Sequence, residues 1–183
     1  MRYLPLLLCL FLCTSVRAQK IEVPRGYSPQ VGVVVSMLED LKRRVTRSVA
    51  NLTVAETDFL LDDKANRIGA MIYHLAATEK YYQRYTFEGT GYLPEDAHWE
   101  FAQDLGVPAR EKLVGKPIRF YLDLWDEVRA ETLRQLKTKD DKWFNAKAGG
   151  NRNMNNHWAW YHVMEHQANH MGQIRLITGR LPR

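Results

Sequence analysis

The sequence predicts an all-α protein built as a four-helix bundle. Four segments, each about 20 residues long, carry apolar side chains at the spacing of helices that bury one face. The segments between them are rich in glycine, proline and polar residues, and no segment shows the alternation typical of a β-strand. Four helices of this length joined by loops are expected to pack around one core.

The first two helices are separated by a polar connection. The first is predicted over residues 31–52, where apolar positions recur at helical spacing: Val34, Met37, Leu38, Leu41, Val45 and Val49. After a connection over residues 53–65, Asn66 is a favourable N-cap for a second helix that extends to about Thr86. Its buried positions are expected to include His74 and several apolar and aromatic residues: Met71, Ile72, Leu75, Tyr81, Tyr82 and Tyr85.

A long connection precedes the third helix. Residues 87–115 contain six glycine and proline residues and predict a loop with a short helix near residues 95–104. Connections of this length are commonly functional or mobile. Pro117 suits the first turn of a third helix over residues 117–137. Its buried face is predicted at Phe120, Leu124, Val128 and Leu136, with Trp125 and Leu133 beside it.

The fourth helix follows a polar segment over residues 138–155. We predict it from Asn156 to Thr178, with Gly179 ending it.

The first 18 residues have the pattern of a secretory signal peptide. A short start carrying Arg2 is followed by an apolar run, and Val16 and Ala18 supply the small residues that precede a cleavage site. The run is shorter than the roughly 20 residues that a membrane-spanning helix needs. An alternative is lipid attachment at Cys13, which lacks the small preceding residue of a lipobox. The sequence therefore predicts a signal peptide over 1–18, a single domain over 19–183, and a periplasmic or secreted protein.

Composition restricts the chemistry available to the exported chain. Both cysteines, Cys9 and Cys13, would leave with the signal peptide, so neither a disulfide nor a thiolate ligand is expected. The formal charge of +5 falls by two when Arg2 and Arg17 are removed. A weakly basic chain without a run of like charges does not predict nucleic-acid binding.

Histidines on two predicted helices form the candidate site. His166 and His170 lie one turn apart in the middle of the apolar stripe of the fourth helix, and His162 lies about 40° to one side of His166. His74 occupies the inner face of the second helix. Burying unpaired imidazoles is costly, and a divalent metal held by His74, His166 and His170 would explain all three. The alternatives are hydrogen-bonded core histidines, and a metal pair made by His162 and His166 instead.

Two motifs resemble those of the DinB-like metalloprotein superfamily. Residues 166–174, HQANHMGQI, resemble its HxxxHxGQI signature, and residues 66–79, NRIGAMIYHLAATE, resemble its second-helix motif. The resemblance implies a four-helix bundle of the DinB-like type with a long crossover connection. It also implies a three-histidine site for one divalent metal ion, with zinc, nickel, iron or manganese found among relatives. Some relatives are thiol-dependent transferases or isomerases.

The chain departs from the resemblance in two respects. Ala65 stands where relatives often carry tryptophan, and the predicted signal peptide sends the chain outside the cytosol, where thiol-using relatives work. The sequence nevertheless favours a metal-dependent hydrolase or transferase that acts on an unknown small molecule outside the cytoplasm. His162, Glu79 and Gln173 are the candidate groups beside the metal, with His162 as a general base. Glu79 could instead pair with a basic neighbour.

Two non-catalytic functions remain open at this point. The protein could hold a metal or a small ligand without reaction, or it could be a stress-associated protein whose metal stabilises the fold. The expected partners are a small-molecule substrate or ligand and a second copy of the chain in a homodimer. No nucleic acid and no membrane span in the mature chain are expected.

The predicted cleavage site can be tested directly. N-terminal sequencing of the exported protein should begin at Gln19, because Val16 and Ala18 flank the apolar run at the positions that signal peptidase selects. Mass spectrometry that finds an acyl chain on Cys13, or fractionation that finds the whole chain in the cytosol, would contradict this prediction.

Overall fold

The described part of the protein is helical. The computed structural model describes residues 20–149 and 153–182, and the predicted signal peptide lies outside these residues. Within the described ranges no β-strand is present, and the pairing of Lys147 with Asn155 is an isolated bridge. The all-α prediction is confirmed. No helix in these ranges combines the length and the apolar character that crossing a bilayer requires.

Four long helices are connected by shorter ones. In chain order the α-helices are α1 (Pro29–Val49), α2 (Val54–Thr57), α3 (Ile68–Gln83), α4 (Ala97–Glu100), α5 (Gly106–Lys112), α6 (Ile118–Leu136), α7 (Asp141–Asn145) and α8 (Asn156–Thr178). A π-helical turn, Arg84–Glu88, continues α3, and a 3-10 turn, Pro94–Asp96, leads into α4. The four long helices correspond to the four predicted from the sequence.

The contacts between side chains give the directions of the helices. The start of α3 lies against the start of α6, where Gly69 faces Tyr121, and further along Glu79 bonds to Thr132, so these helices are parallel. In contrast, α3 and α8 are antiparallel, because His74 meets His170 whereas Tyr82 meets His162. The connection between α3 and α6 is therefore the predicted long crossover, which returns the chain to the same end of the bundle.

A capping side chain explains where α8 starts, whereas the predicted cap of the second helix is absent. The side chain of Asn155 accepts a hydrogen bond from the Trp158 N–H at 2.8 Å, which fixes the start of α8 as predicted. The prediction that Asn66 caps the second helix is wrong. Arg67 is the residue before α3, and the Asn66 side chain instead accepts a hydrogen bond from the Gly106 N–H at 3.2 Å.

The buried face of α6 differs from the predicted one. Phe120 is 38 % exposed, and Leu124 is only partly buried. Trp125, predicted beside the face, is fully buried, as is Tyr121. The face is rotated because the polar residue Arg129 is drawn into the core by an ion pair, which apolar spacing alone does not reveal.

The core consists of two apolar clusters. The Trp125 cluster fills the end of the bundle formed by the start of α3 and includes Ile68, Met71, Ile72, Leu75, Leu122, Trp125 and Ile174. The Trp160 cluster fills the opposite end and includes Val31, Val35, Leu38, Leu136, Phe144 and Trp160. Along the bundle axis, five buried polar side chains separate the clusters. We call them the polar layer: Glu79, Gln83, Arg129, Thr132 and Gln167, none more than 3 % exposed.

Gly69 is required by the close packing of α3 on α6. A Cβ atom at Gly69 would lie 2.5 Å from Cε2 of the fully buried Tyr121 ring. We expect Gly69→Ala to lower the free energy of unfolding by about 1–3 kcal/mol, because the overpacking exceeds the gain in helix propensity. Urea denaturation followed by circular dichroism measures the change.

Gly172 provides the matched control, since a Cβ atom there would meet no heavy atom within 4 Å. Gly172→Ala in the middle of α8 should stabilise the protein by about 0.5–1 kcal/mol. Equal effects of the two substitutions would contradict the close approach of α3 and α6.

Candidate metal centre

A backbone carbonyl fixes the orientation of His74. The Nδ1 atom of His74 lies 2.8 Å from the carbonyl oxygen of Ala102, in the crossover connection. Because a carbonyl oxygen only accepts, Nδ1 carries the proton of this hydrogen bond. The lone pair of the neutral ring is then on Nε2, the nitrogen that faces α8. Hydrogen bonds of this kind commonly orient histidines that bind metals.

Two histidines of α8, His166 and His170, meet His74 across the bundle. The Nε2 atoms of His74 and His166 are 2.7 Å apart, and the His170 ring centroid lies 4.9 Å from that of His74. One nitrogen from each of the three residues lies within 4.8 Å of the others. Two nitrogen ligands of one zinc ion are about 3.3 Å apart, since each bond is about 2.0–2.1 Å long. The spacing of the three nitrogens therefore suits a single ion.

The electrostatics of the cluster also suit a cation. Burial lowers the pKa of His74, and burial together with the neighbouring histidines lowers the pKa of His166 to about 3 and that of His170 to about 4. All three rings are therefore neutral near pH 7, with lone pairs available for a metal. The Nδ1 atom of His170 is buried without a hydrogen-bond partner, an arrangement that a bound cation would satisfy.

His162 lies beside the three-histidine group and is not part of it. Its ring is stacked on Trp158 at 5.1 Å and meets the edge of His166 at 5.8 Å. Its Nδ1 atom is 3.2 Å from a carboxylate oxygen of Glu165, and the side chain is about one third exposed. The structure thus groups His74 with His166 and His170 and leaves His162 at the border with solvent.

Gln173 and Glu79, the other two candidate residues, have different positions. Gln173 is exposed on the turn after His170, and its side chain interacts with that ring in a way that raises the His170 pKa against the effect of burial. Glu79 is fully buried and engaged by Arg129, at 2.7 Å, and not by the histidines. Its position matches the alternative expectation, a carboxylate paired with a basic neighbour.

Three contributors to the site were not identified from the sequence. Ala102 acts through its backbone carbonyl, for which no side-chain pattern exists. Arg129 was overlooked although it lies four residues after Trp125, on the stripe that α6 buries. Gln167 adjoins His166 but is fully buried, where its amide bonds to Glu79 and Arg129. Arg129 and Gln167 could have been identified from their positions on the buried faces of their helices.

The bundle and the histidine cluster define a DinB-like protein with a site suited to a divalent metal. The sequence model described as mycothiol-S-transferase matches residues 33–181. The chain therefore belongs to the mycothiol-S-transferase family, within the DinB-like superfamily that its motifs resemble. No curated protein matches the chain.

Alanine substitutions test which histidines bind the metal. His74→Ala, His166→Ala and His170→Ala should each weaken zinc binding beyond the roughly 10–100-fold loss typical of changes outside the ligand set. Isothermal titration of the metal-free protein measures this. His162→Ala is the control and should keep the stoichiometry at one. The assignment is wrong if His162→Ala abolishes binding while His170→Ala spares it.

Proposed function

We propose that the protein is a metal-dependent transferase that acts on a small molecule outside the cytoplasm. The observation that carries the proposal is the convergence of three neutral imidazoles, from α3 and α8, with no carboxylate or thiolate in the group. Three protein ligands leave coordination positions for a substrate, as in catalytic zinc sites. The family description supports transfer over hydrolysis, the other reaction that the sequence left open.

The bound metal would act as a Lewis acid that lowers the pKa of a thiol or water at the open position. Neighbouring residues orient the histidines that would hold the metal. Ala102 holds His74 in one tautomer, and Gln173 contacts His170 from the solvent side. Because no charged ligand neutralises the ion, its full positive charge would be available to the substrate.

His162 is the residue best placed to exchange a proton with the substrate. Its Nδ1 atom is paired with Glu165, which leaves Nε2 as the nitrogen available to take a proton. The stacking on Trp158 limits movement of the ring. We therefore propose His162 as a general base at the border of the metal centre, and Gln173 as a group that contacts the substrate.

Location outside the cytoplasm is part of the proposal and is supported by the amino-terminal segment alone. The apolar run and the small residues before position 19 are typical of a secretory signal peptide. The thiol or other nucleophile used by the enzyme would then be one present outside the cytosol.

Ligand binding to the cobalt-substituted protein tests whether the coordination sphere is open. Imidazole, azide or a small thiol should change the visible absorption spectrum without changing the helical circular dichroism, because each would bind the metal directly. The His170→Ala variant serves as the control, since it should not form the wild-type cobalt spectrum. If none of the three ligands changes the absorption spectrum, the coordination sphere is closed. That result would favour a metal that only stabilises the fold.

A thiol-consumption assay then separates catalysis from simple binding. The metal-loaded protein should accelerate the reaction of a small thiol with a soluble electrophile, and His166→Ala should not. Equal rates for the two proteins would support the non-catalytic alternative, a metal- or ligand-binding protein.

A further inference from the structure

The polar layer contains a fully satisfied ion pair between α3 and α6. The Nε and Nη2 atoms of Arg129 donate to the two carboxylate oxygens of Glu79 at 2.7 and 2.9 Å. Nη1 donates to the Leu38 carbonyl at 2.8 Å and to Glu39 at 2.9 Å, and Nη2 also donates to Gln167 at 3.0 Å. All five N–H groups of the guanidinium therefore have acceptors.

Each carboxylate oxygen of Glu79 also has more than one hydrogen-bond donor. Besides the two bonds from Arg129, its oxygens accept hydrogen bonds from Thr132 at 2.6 Å, from Trp125 at 3.1 Å and from Gln167 at 3.0 Å. Burial alone would raise the pKa of Glu79, but interaction with Arg129, Thr132 and Trp125 lowers it. The carboxylate is thus held in a single position.

Gln167 connects this ion pair to the helix that carries two of the histidines. Its Nε2 donates to Glu79 while its Oε1 accepts from Arg129, both at 3.0 Å. The Gln167–Glu79 bond directly joins α8 to α3, the same two helices that supply the three histidines. Gln167 follows His166 in the chain, and Glu79 lies just over one turn after His74.

Stability alone does not account for a buried ion pair at this position. Well-packed apolar side chains in place of such a pair are often as stable, because desolvation offsets the Coulomb attraction. The best-attested role of buried polar groups is to select one register between packed helices. Two apolar clusters, one on each side of the polar layer, would allow α3 and α8 to slide by small amounts, whereas a directional hydrogen bond allows only one alignment.

We propose that Glu79, Arg129 and Gln167 are positioning residues that set the register of α3 against α8 and thereby the separation of His74 from His166 and His170. The inference rests on the metal centre proposed above. It assigns to Glu79 a role that acts through the histidines and not through the substrate. A shift of α8 along α3 by a fraction of a turn would separate the ligand nitrogens beyond the span of one ion.

Gln167→Met tests the proposal, since methionine matches the length of glutamine but cannot bond to Glu79 or Arg129. We expect an altered visible spectrum of the cobalt-loaded protein and zinc affinity lowered roughly 10–100-fold, the range for residues that support ligands. Competition with a chromophoric chelator measures the affinity. Glu79→Gln breaks the same link from the α3 side and should change the spectrum in the same way.

Leu136→Ala is the control for loss of stability. Leu136 is fully buried in the Trp160 cluster, and its truncation weakens the fold without touching the link between α3 and α8. At a temperature where both variants are fully folded, Leu136→Ala should keep the wild-type spectrum and affinity. If Gln167→Met and Glu79→Gln also keep them, the positioning role is overturned while the metal centre stands. If the wild-type protein binds no cobalt, both proposals fail.

Discussion

The ion pair between Arg129 and Glu79 is the interaction on which the rest of the bundle depends. Both residues are removed from solvent, and their bonds reach each of the four long helices. A buried charge that loses its partner costs several kcal/mol, a large part of the stability of an ordinary domain. The apolar clusters on either side drive collapse and fix the close approach of α3 to α6, whereas the directional hydrogen bonds of this pair and Gln167 join α3 to α8.

The sequence predicted the fold where local patterns and tertiary packing agree. α8 was placed correctly with Gly179 after it, and the periodicity of α1 matched most of its buried face. The rotation of α6 was missed because Arg129 is polar and its burial depends on Glu79, fifty residues away. α5 was not predicted because it begins at Gly106, directly after Leu105, and both residues have a positive φ that the apolar pattern does not reveal.

The residues of the candidate site could likewise be predicted only in part from the sequence. Helical spacing placed His166 and His170 on one face of the fourth helix and His74 on the inner face of the second, and the family resemblance supported the same three residues. The separation of Glu79 from the histidines was not predictable, since its direction depends on the residues of α6 that surround it. The role of the Ala102 carbonyl could not be predicted either, because every residue has a backbone carbonyl and the side chain does not indicate which one forms a hydrogen bond.

The hydrogen bond from His74 to Ala102 links the long crossover connection to the candidate metal site. The carbonyl belongs to the connection between α3 and α6, and it orients the one histidine that α3 contributes to the cluster. Binding of an ion would therefore be thermodynamically coupled to the position of this carbonyl, and the coupling would be reciprocal. A bound ion would strengthen the hydrogen bond from His74 to Ala102 by the same factor by which that bond strengthens the binding of the ion. Sequence changes in this loop, far from any ligand in the chain, would then tune metal affinity without altering a single histidine.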